Sequence, residues 1–226
     1  MKNKFSFKGY DLWLAYQPQY FNNKIMGAEV LLRSSLHRDS FPKNWYESLG
    51  RDEIIKLDIL IIENTLIEIS KYNFIGTISI NVNLDFFTKD NLNKMEYLLS
   101  KYKVDNKKII LEVLEKDLIL EEDLSIFNEF ISNDIRLAID DLPVDFSIYN
   151  LLVFKRYFEP KDFICKINTN HQCVDLNFIY SILDLECILV LEQANPKDFP
   201  RNIVKRVQFQ SFELSKPMPI DRLVTI

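Results

Sequence analysis

The sequence predicts an α/β fold, a barrel of the (β/α)8 kind, on three observations. Short apolar runs rich in β-branched residues alternate with amphipathic helical patterns along most of the chain. Those runs are apolar at successive positions, as strands buried on both faces are, and this argues for a parallel sheet. No linker, repeat or charge block divides the 226 residues, so a single domain spanning 1–226 is expected. Seven or eight strands in one domain favour closure into a barrel, although the chain is shorter than the ~250-residue norm; an open doubly wound sheet is the alternative.

Taken in order, Leu12–Phe21 and Ile25–Arg33 read as a hairpin turned by Asn22 and Asn23. A polar stretch, Ser34–Lys43, precedes a long amphipathic helix over Asp52–Lys71. There Ile54, Leu57, Ile61, Ile62, Leu66 and Ile69 keep helical spacing. Strands are then expected at Thr77–Val82, Lys108–Leu114, Arg136–Ile139, Phe163–Ile167, Cys187–Leu191 and Ile203–Phe209. Helical patterns fall near Asn91–Tyr102, Glu121–Ser132 and Cys173–Leu185.

Composition removes several function classes. The chain is 47% apolar and 13% aromatic, so it can bury a sizeable core. It has four glycines, where average usage would give roughly sixteen. That excludes a P-loop, a GxGxxG dinucleotide site and Gly-rich low-complexity sequence. A net charge of −5 disfavours binding to a nucleic-acid polymer. Three cysteines and two histidines are too few and too scattered for a zinc cluster, and they suit a reducing compartment. With no targeting segment and no apolar run approaching ~18 residues, a soluble cytoplasmic protein without membrane contact is expected.

The informative residues lie where the apolar runs stop. Glu29 interrupts the second hairpin strand, Asn81 ends ISIN, and Glu112 lies in IILEVLE. Asp140 and Asp141 end LAIDD, Lys166 lies in FICKIN, Glu192 in ILVLE and Gln210 in VQFQ. Asn81 to Glu112 is 31 positions, then 28 to Asp140, 26 to Lys166 and 26 to Glu192. Each interval is one βα unit, so these residues return at the same end of successive strands. In a barrel that end is the C-terminal mouth, where active sites are built. Five carboxylates offset by one lysine would not stay ionised unaided, and two divalent cations would neutralise them. Carboxylates with an amide oxygen, free of thiolate and imidazole, suit Mg²⁺ or Mn²⁺. A paired-metal oxygen site is the usual machinery for phosphodiester hydrolysis. Singly, each residue has a plainer reading: Asp141 as a helix N-cap, Glu112 as a solvated strand residue, Lys166 as an ion-pair partner. Their recurrence in phase with the βα repeat favours the metal site.

These segments resemble, nearly end to end, the EAL domains, a family of cyclic di-GMP phosphodiesterases. GAEVLLR (Gly27–Arg33) is similar to the family signature, with Val30 for its central alanine, and YQPQ (Tyr16–Gln19) to its opening strand. INVN (Ile80–Asn83), LEVLE (Leu111–Glu115), IDD (Ile139–Asp141), CKIN (Cys165–Asn168), LE (Leu191–Glu192) and QSFELSKPMP (Gln210–Pro219) follow in family order. The resemblance implies a TIM-like barrel with an antiparallel first strand and hydrolysis of cyclic di-GMP to linear pGpG. It implies two Mg²⁺ or Mn²⁺ ions, with Ca²⁺ supporting binding but not turnover. Glu29, Asn81, Glu112 and Asp140 would ligate the first metal and Asp141 the second. Lys166 would hold the nucleophilic water, with Glu192 and Gln210 completing the catalytic set. Gln17, Leu31 and Arg33 would bind substrate, Arg33 through a phosphate and Gln17 through a guanine, and Glu115 would support the loop after the Asp pair. A homodimer is the family expectation.

The departures are concentrated beside the site. The family segment DFGTGYSS is here Asp141–Ile148, with Pro143 and Asp145 in place of its glycines. AEGVE becomes Leu191–Asn195, with Gln193 for the glycine; KID becomes KIN at Asn168, and QGY becomes Gln-Ser-Phe at 210–212. A glycine that used φ > 0 could not be replaced without a change of backbone or a strain cost. Two functions follow. The complete ligand set favours an active phosphodiesterase. The altered loop favours a catalytically weak member that acts as a cyclic di-GMP receptor or as a regulator through a protein partner.

Overall fold

In the computed structural model, which describes residues 3–37, 40–114, 125–142, 163–169 and 175–225, the strands join in one sheet whose spatial order is their order in sequence. Among the described residues there are nine: β1 (Lys4–Phe7), β2 (Tyr10–Phe21), β3 (Lys24–Ser34), β4 (Thr77–Asn81), β5 (Ile109–Leu114), β6 (Arg136–Asp140), β7 (Phe163–Asn168), β8 (Ile188–Glu192) and β9 (Gln208–Gln210). Neighbours from β3 to β9 are parallel. β2 is antiparallel to β3 and to β9, and its pairing of Tyr20 with Phe209 closes β2–β9 into an eight-strand barrel. The closed α/β barrel and its antiparallel first strand are as expected. β1 lies outside the barrel, paired with the first half of β2.

Local chemistry explains the elements. Asn22 and Asn23 both take positive φ (49° and 61°), which a two-residue hairpin turn requires and asparagine tolerates. Gly27 allows β3 to meet β4: a Cβ there would lie 2.4 Å from Thr77 Oγ1 and 2.7 Å from the Thr77 carbonyl. The described helices are α1 (Lys43–Glu47), α2 (Arg51–Tyr72), α3 (Lys89–Tyr102), α4 (Ser125–Ser132), α5 (Leu176–Leu183), α6 (Arg201–Val204) and α7 (Ile220–Leu223). Glu53 of α2 accepts from the Gly50 N–H at 3.0 Å, and Thr88 caps α3 by accepting from Asn91. No helix among the described residues is long and apolar enough to cross a membrane.

One expected strand is corrected. Within Ile203–Phe209 only Gln208–Gln210 pairs with β8, and Ile203 lies in α6. Ile203 and Val207 are four apart, both fully buried, and the Val207 N–H donates to the Ile203 carbonyl at 3.2 Å. Their apolar spacing is helical, and the strand period begins only at Gln208.

Strand alternation divides the barrel wall into two faces. Leu111, Val113, Leu137, Ile139, Cys165, Ile167, Leu189 and Leu191 point outward into the large core shared with the helices. Ile110, Ala138, Ile164 and Val190 point the other way and pack on one another inside the barrel. Two positions further along the same strands, the interior turns polar.

Candidate active site

The polar layer is set by register. Glu112 follows Ile110 on β5, Asp140 follows Ala138 on β6, Lys166 follows Ile164 on β7 and Glu192 follows Val190 on β8, each by two residues. Period-two alternation therefore stacks all four directly above the apolar floor, toward the C-terminal ends of the strands. β3 adds Glu29, β4 adds Asn81 and β9 adds Gln210, which is paired in register with Glu192.

Lys166 is the hub. Its Nζ lies 2.9 Å from Glu112 Oε2, 2.9 Å from Glu192 Oε1, 3.0 Å from Asp140 Oδ1 and 3.2 Å from Glu29 Oε2. The lysine is fully buried and Glu112 is 1% exposed. Glu29 is further held by Asn81, whose Nδ2 donates to Oε1 at 2.7 Å, and by Gln210, whose Nε2 donates to Oε2. Gln210 in turn accepts from Gln19 at 2.9 Å.

The charges follow from burial and pairing. Burial alone would strip the proton from Lys166, but the surrounding carboxylates outweigh it and hold the ammonium charged well above its ordinary range. Burial likewise opposes ionisation of Glu29, yet Lys166, Gln210 and Asn81 together lower its pKa. For Glu112, burial dominates and raises the pKa well above the usual carboxylate range, and Asp140 moves the same way. Glu192 is pushed up to about 7 by burial, with Lys166 opposing. One ammonium is thus too little charge for four carboxylates.

The donor set fits a hard, oxygen-seeking divalent ion. One oxygen from each of Glu29, Glu112 and Asp140 lies within 4.8 Å of the others, and the same holds for Asp140, Asp141 and Glu192. Glu112 Oε1 is buried without a hydrogen-bond partner, an acceptor that a cation would satisfy. Asp141 is exposed at the rim, with φ at +54°. Gln193, just beyond β8, also takes a positive φ (+53°), and its N–H donates to the Gln210 carbonyl at 2.7 Å. The position to which the resemblance gives a glycine thus has a left-handed backbone here, held by glutamine at a strain cost.

Beside the site, where β3 runs on past Glu29 to Arg33, opens a cleft of about 650 Å³ that none of the layer residues lines. Trp13, Arg33, Phe41 and Phe212 line it together with Lys216 and Arg222. Arg33 is half-buried; desolvation lowers its pKa and the charge of Glu29 opposes that, while Nη1 donates to the Leu32 carbonyl at 2.9 Å. Leu31 lines a neighbouring cavity of about 360 Å³ with Arg33, Asp58, Asn81 and Leu114. Gln17 is 3% exposed, opposite Glu29 on β2, and its Nε2 has no hydrogen-bond partner.

The structure thus brings together Glu29, Asn81, Glu112, Asp140, Lys166, Glu192 and Gln210, with Asp141 at their edge and Gln17, Leu31 and Arg33 beside them. Glu115 and the altered loop from Pro143 to Ile148 lie outside the described residues. Sequence reasoning missed Gln19, Asp58 and the cleft residues Trp13, Lys216 and Arg222. Gln19 was within reach, being two residues from Gln17 on the same strand. Asp58 was too, as an acid within the apolar stripe of α2; it is buried, accepts from the Asn83 N–H at 3.0 Å, and burial raises its pKa to about 7.

A family model described as EAL domain matches residues 5–156. No curated protein is significantly similar in sequence. Among solved structures, a complex of the MucR phosphodiesterase with c-di-GMP is similar at a TM-score of 0.77 and 20% identity, over 94% of each chain. The EAL enzyme Bd1971, bound to cAMP and cyclic di-GMP, gives 0.75 and 19%; 95% of the present chain is covered, and it spans 64% of that one. Klebsiella pneumoniae BlrP1 with manganese and cyclic di-GMP gives 0.74 and 17%, over 96% of this chain and 58% of the other. At such identities the likeness is one of fold.

Proposed function

Since the chain belongs to the EAL domain family, whose members are generally cyclic di-GMP phosphodiesterases, we propose that it hydrolyses cyclic di-GMP to linear pGpG with two Mg²⁺ or Mn²⁺ ions. The observation that carries this reading is the convergence of four carboxylates from four strands on one buried lysine, with a carboxylate oxygen of Glu112 left unpartnered.

Glu29, Asn81, Glu112 and Asp140 would hold the first ion, and Asp140, Asp141 and Glu192 the second. Bound ions of this kind neutralise the carboxylates, acidify a water and steady the attacking and leaving oxygens of an in-line displacement. The remaining work belongs to the side chains. Lys166 Nζ donates to the attacking water and orients its lone pair toward phosphorus. Gln210 and Asn81 fix Glu29, so that a ligand carboxylate does not turn with each cycle. Arg33 presents its guanidinium to a phosphate, and the unpartnered Gln17 amide donates to a base edge. Trp13 and Phe212 give the cleft flat apolar walls against which a base stacks, and Lys216 and Arg222 add positive charge for a dianionic ligand. The water oxygen bonds to phosphorus and gives up one proton, the bond to the 3′ oxygen breaks, and that oxygen takes up one proton as it leaves, so a single water supplies both the new P–O bond and the hydroxyl hydrogen.

The replacement of two loop glycines by Pro143 and Asp145 favours a second reading, a receptor or protein-binding regulator that holds cyclic di-GMP without cleaving it. Purified protein incubated with cyclic di-GMP and Mg²⁺ or Mn²⁺ is expected to release pGpG, resolved by liquid chromatography, and Glu29→Ala is expected to release none. Absence of product at enzyme concentrations near the substrate's would reject catalysis. Binding in Ca²⁺ without turnover in either activating metal would support the receptor.

A further inference from the structure

We propose that Lys166 is also the resident counter-cation of the polar layer, and that its ammonium competes with the first divalent ion for the same carboxylate oxygens. The inference rests on reading the layer as a metal site and does not require turnover. Nζ sits where the carboxylates converge, within 2.9–3.2 Å of oxygens from Glu29, Glu112, Asp140 and Glu192. Glu29, Glu112 and Asp140 are the same three that offer oxygens within 4.8 Å of one another. An ammonium has three N–H bonds, so it cannot serve four carboxylates. Asp140 Oδ1 is accordingly close in charge contact yet without an aligned hydrogen bond.

The ammonium has little room to withdraw. Ile110, Ala138, Ile164 and Val190 close the space beneath it, and the lysine is fully buried. An entering cation therefore gains its ligands only as the carboxylates turn from Nζ or as Nζ shifts within the layer toward the mouth. Two consequences follow. Without metal, Lys166 keeps mutually repelling carboxylates together; with metal, its charge weakens binding by like-charge repulsion at short range.

The test separates these roles. Lys166→Met keeps an apolar stem and deletes the charge. Mn²⁺ affinity, read from the free-ion signal in electron paramagnetic resonance, is expected to tighten at least tenfold relative to wild type. The rise in Tm on adding Mn²⁺ is expected to be larger in the variant. A variant that folds only with Mn²⁺ present is the limiting form of this result. Equal or weaker Mn²⁺ affinity in the folded variant overturns the proposal. In the wild-type protein, the ¹⁵N resonance of Lys166 Nζ is expected to move on saturation with Mg²⁺, and a resonance that stays in place overturns the proposal whatever the variant does. Failure to release pGpG leaves both readouts intact, whereas hydrolysis with unchanged Mn²⁺ affinity rejects this proposal alone.

Discussion

Two layers lie on the same four strands, two residues apart, facing the same interior, and they are chemical opposites. The lower is Ile110, Ala138, Ile164 and Val190; the upper is Glu112, Asp140, Lys166 and Glu192. Backbone geometry treats them alike, so the barrel itself does not demand a charged layer. The lower one gains from leaving water. The upper one pays desolvation for every charge, and its single ammonium, set against three carboxylates of the layer and Glu29 of β3, does not offset it. Stability and chemistry are therefore segregated by one step of the strand pleat.

Three substitutions test that division, from the largest effect to the smallest. Glu112→Gln removes a proposed metal ligand and an ionisable group buried at the centre of the layer. Turnover is expected to fall by about a thousandfold, on the order of 4 kcal/mol of barrier. The metal-free Tm is expected to rise, because an amide there donates to its acidic neighbours and replaces a carboxyl whose charged form burial and those neighbours disfavour. A lower metal-free Tm would show that the upper layer stabilises the fold, and the contrast would collapse. Ile164→Ala cuts the lower layer and should cost about 2–4 kcal/mol in urea unfolding, with Mn²⁺ binding retained. Loss of Mn²⁺ binding without loss of stability would mean that the floor serves the site rather than the fold. Gln193→Gly relieves a left-handed residue at the rim and should stabilise by about 0.5–1 kcal/mol. No gain would mean that the side chain of Gln193 makes contacts worth as much as the backbone strain.

Much of the upper layer was legible because chemistry and chain period coincide. Glu112, Asp140, Lys166 and Glu192 recur once per βα unit, and the paired apolar residues two positions earlier mark the same face. β1 was not legible: four residues of alternating exposed and half-buried character on a sheet edge carry no strong apolar signal. The turn of α6 was hidden inside an apolar run that strand and helix periods share. The bond from Gln19 to Gln210 spans 191 positions, and no local pattern encodes such a pairing. The left-handed φ of Gln193 was out of reach for a different reason, since glutamine is not a residue that advertises such a backbone.

The closing seam of the barrel bears on how the protein matures. On the side away from β3, β2 meets β1 along its first half, Met218 at Tyr16 and β9 at Tyr20. The cleft likewise draws Trp13 and Arg33 from the first strands and Phe212, Lys216 and Arg222 from the last residues of the described chain. During synthesis on the ribosome, β1, β2 and β3 can pair early, but the second half of one edge of β2 stays unpaired until residues 209 and 218 have been made. The mouth is built by contacts between segments roughly two hundred residues apart in sequence, and contacts of such separation slow folding. A nascent or truncated chain lacking residues 208–222 would carry every carboxylate of the polar layer and still lack the strand that closes the barrel and half the lining of its cleft.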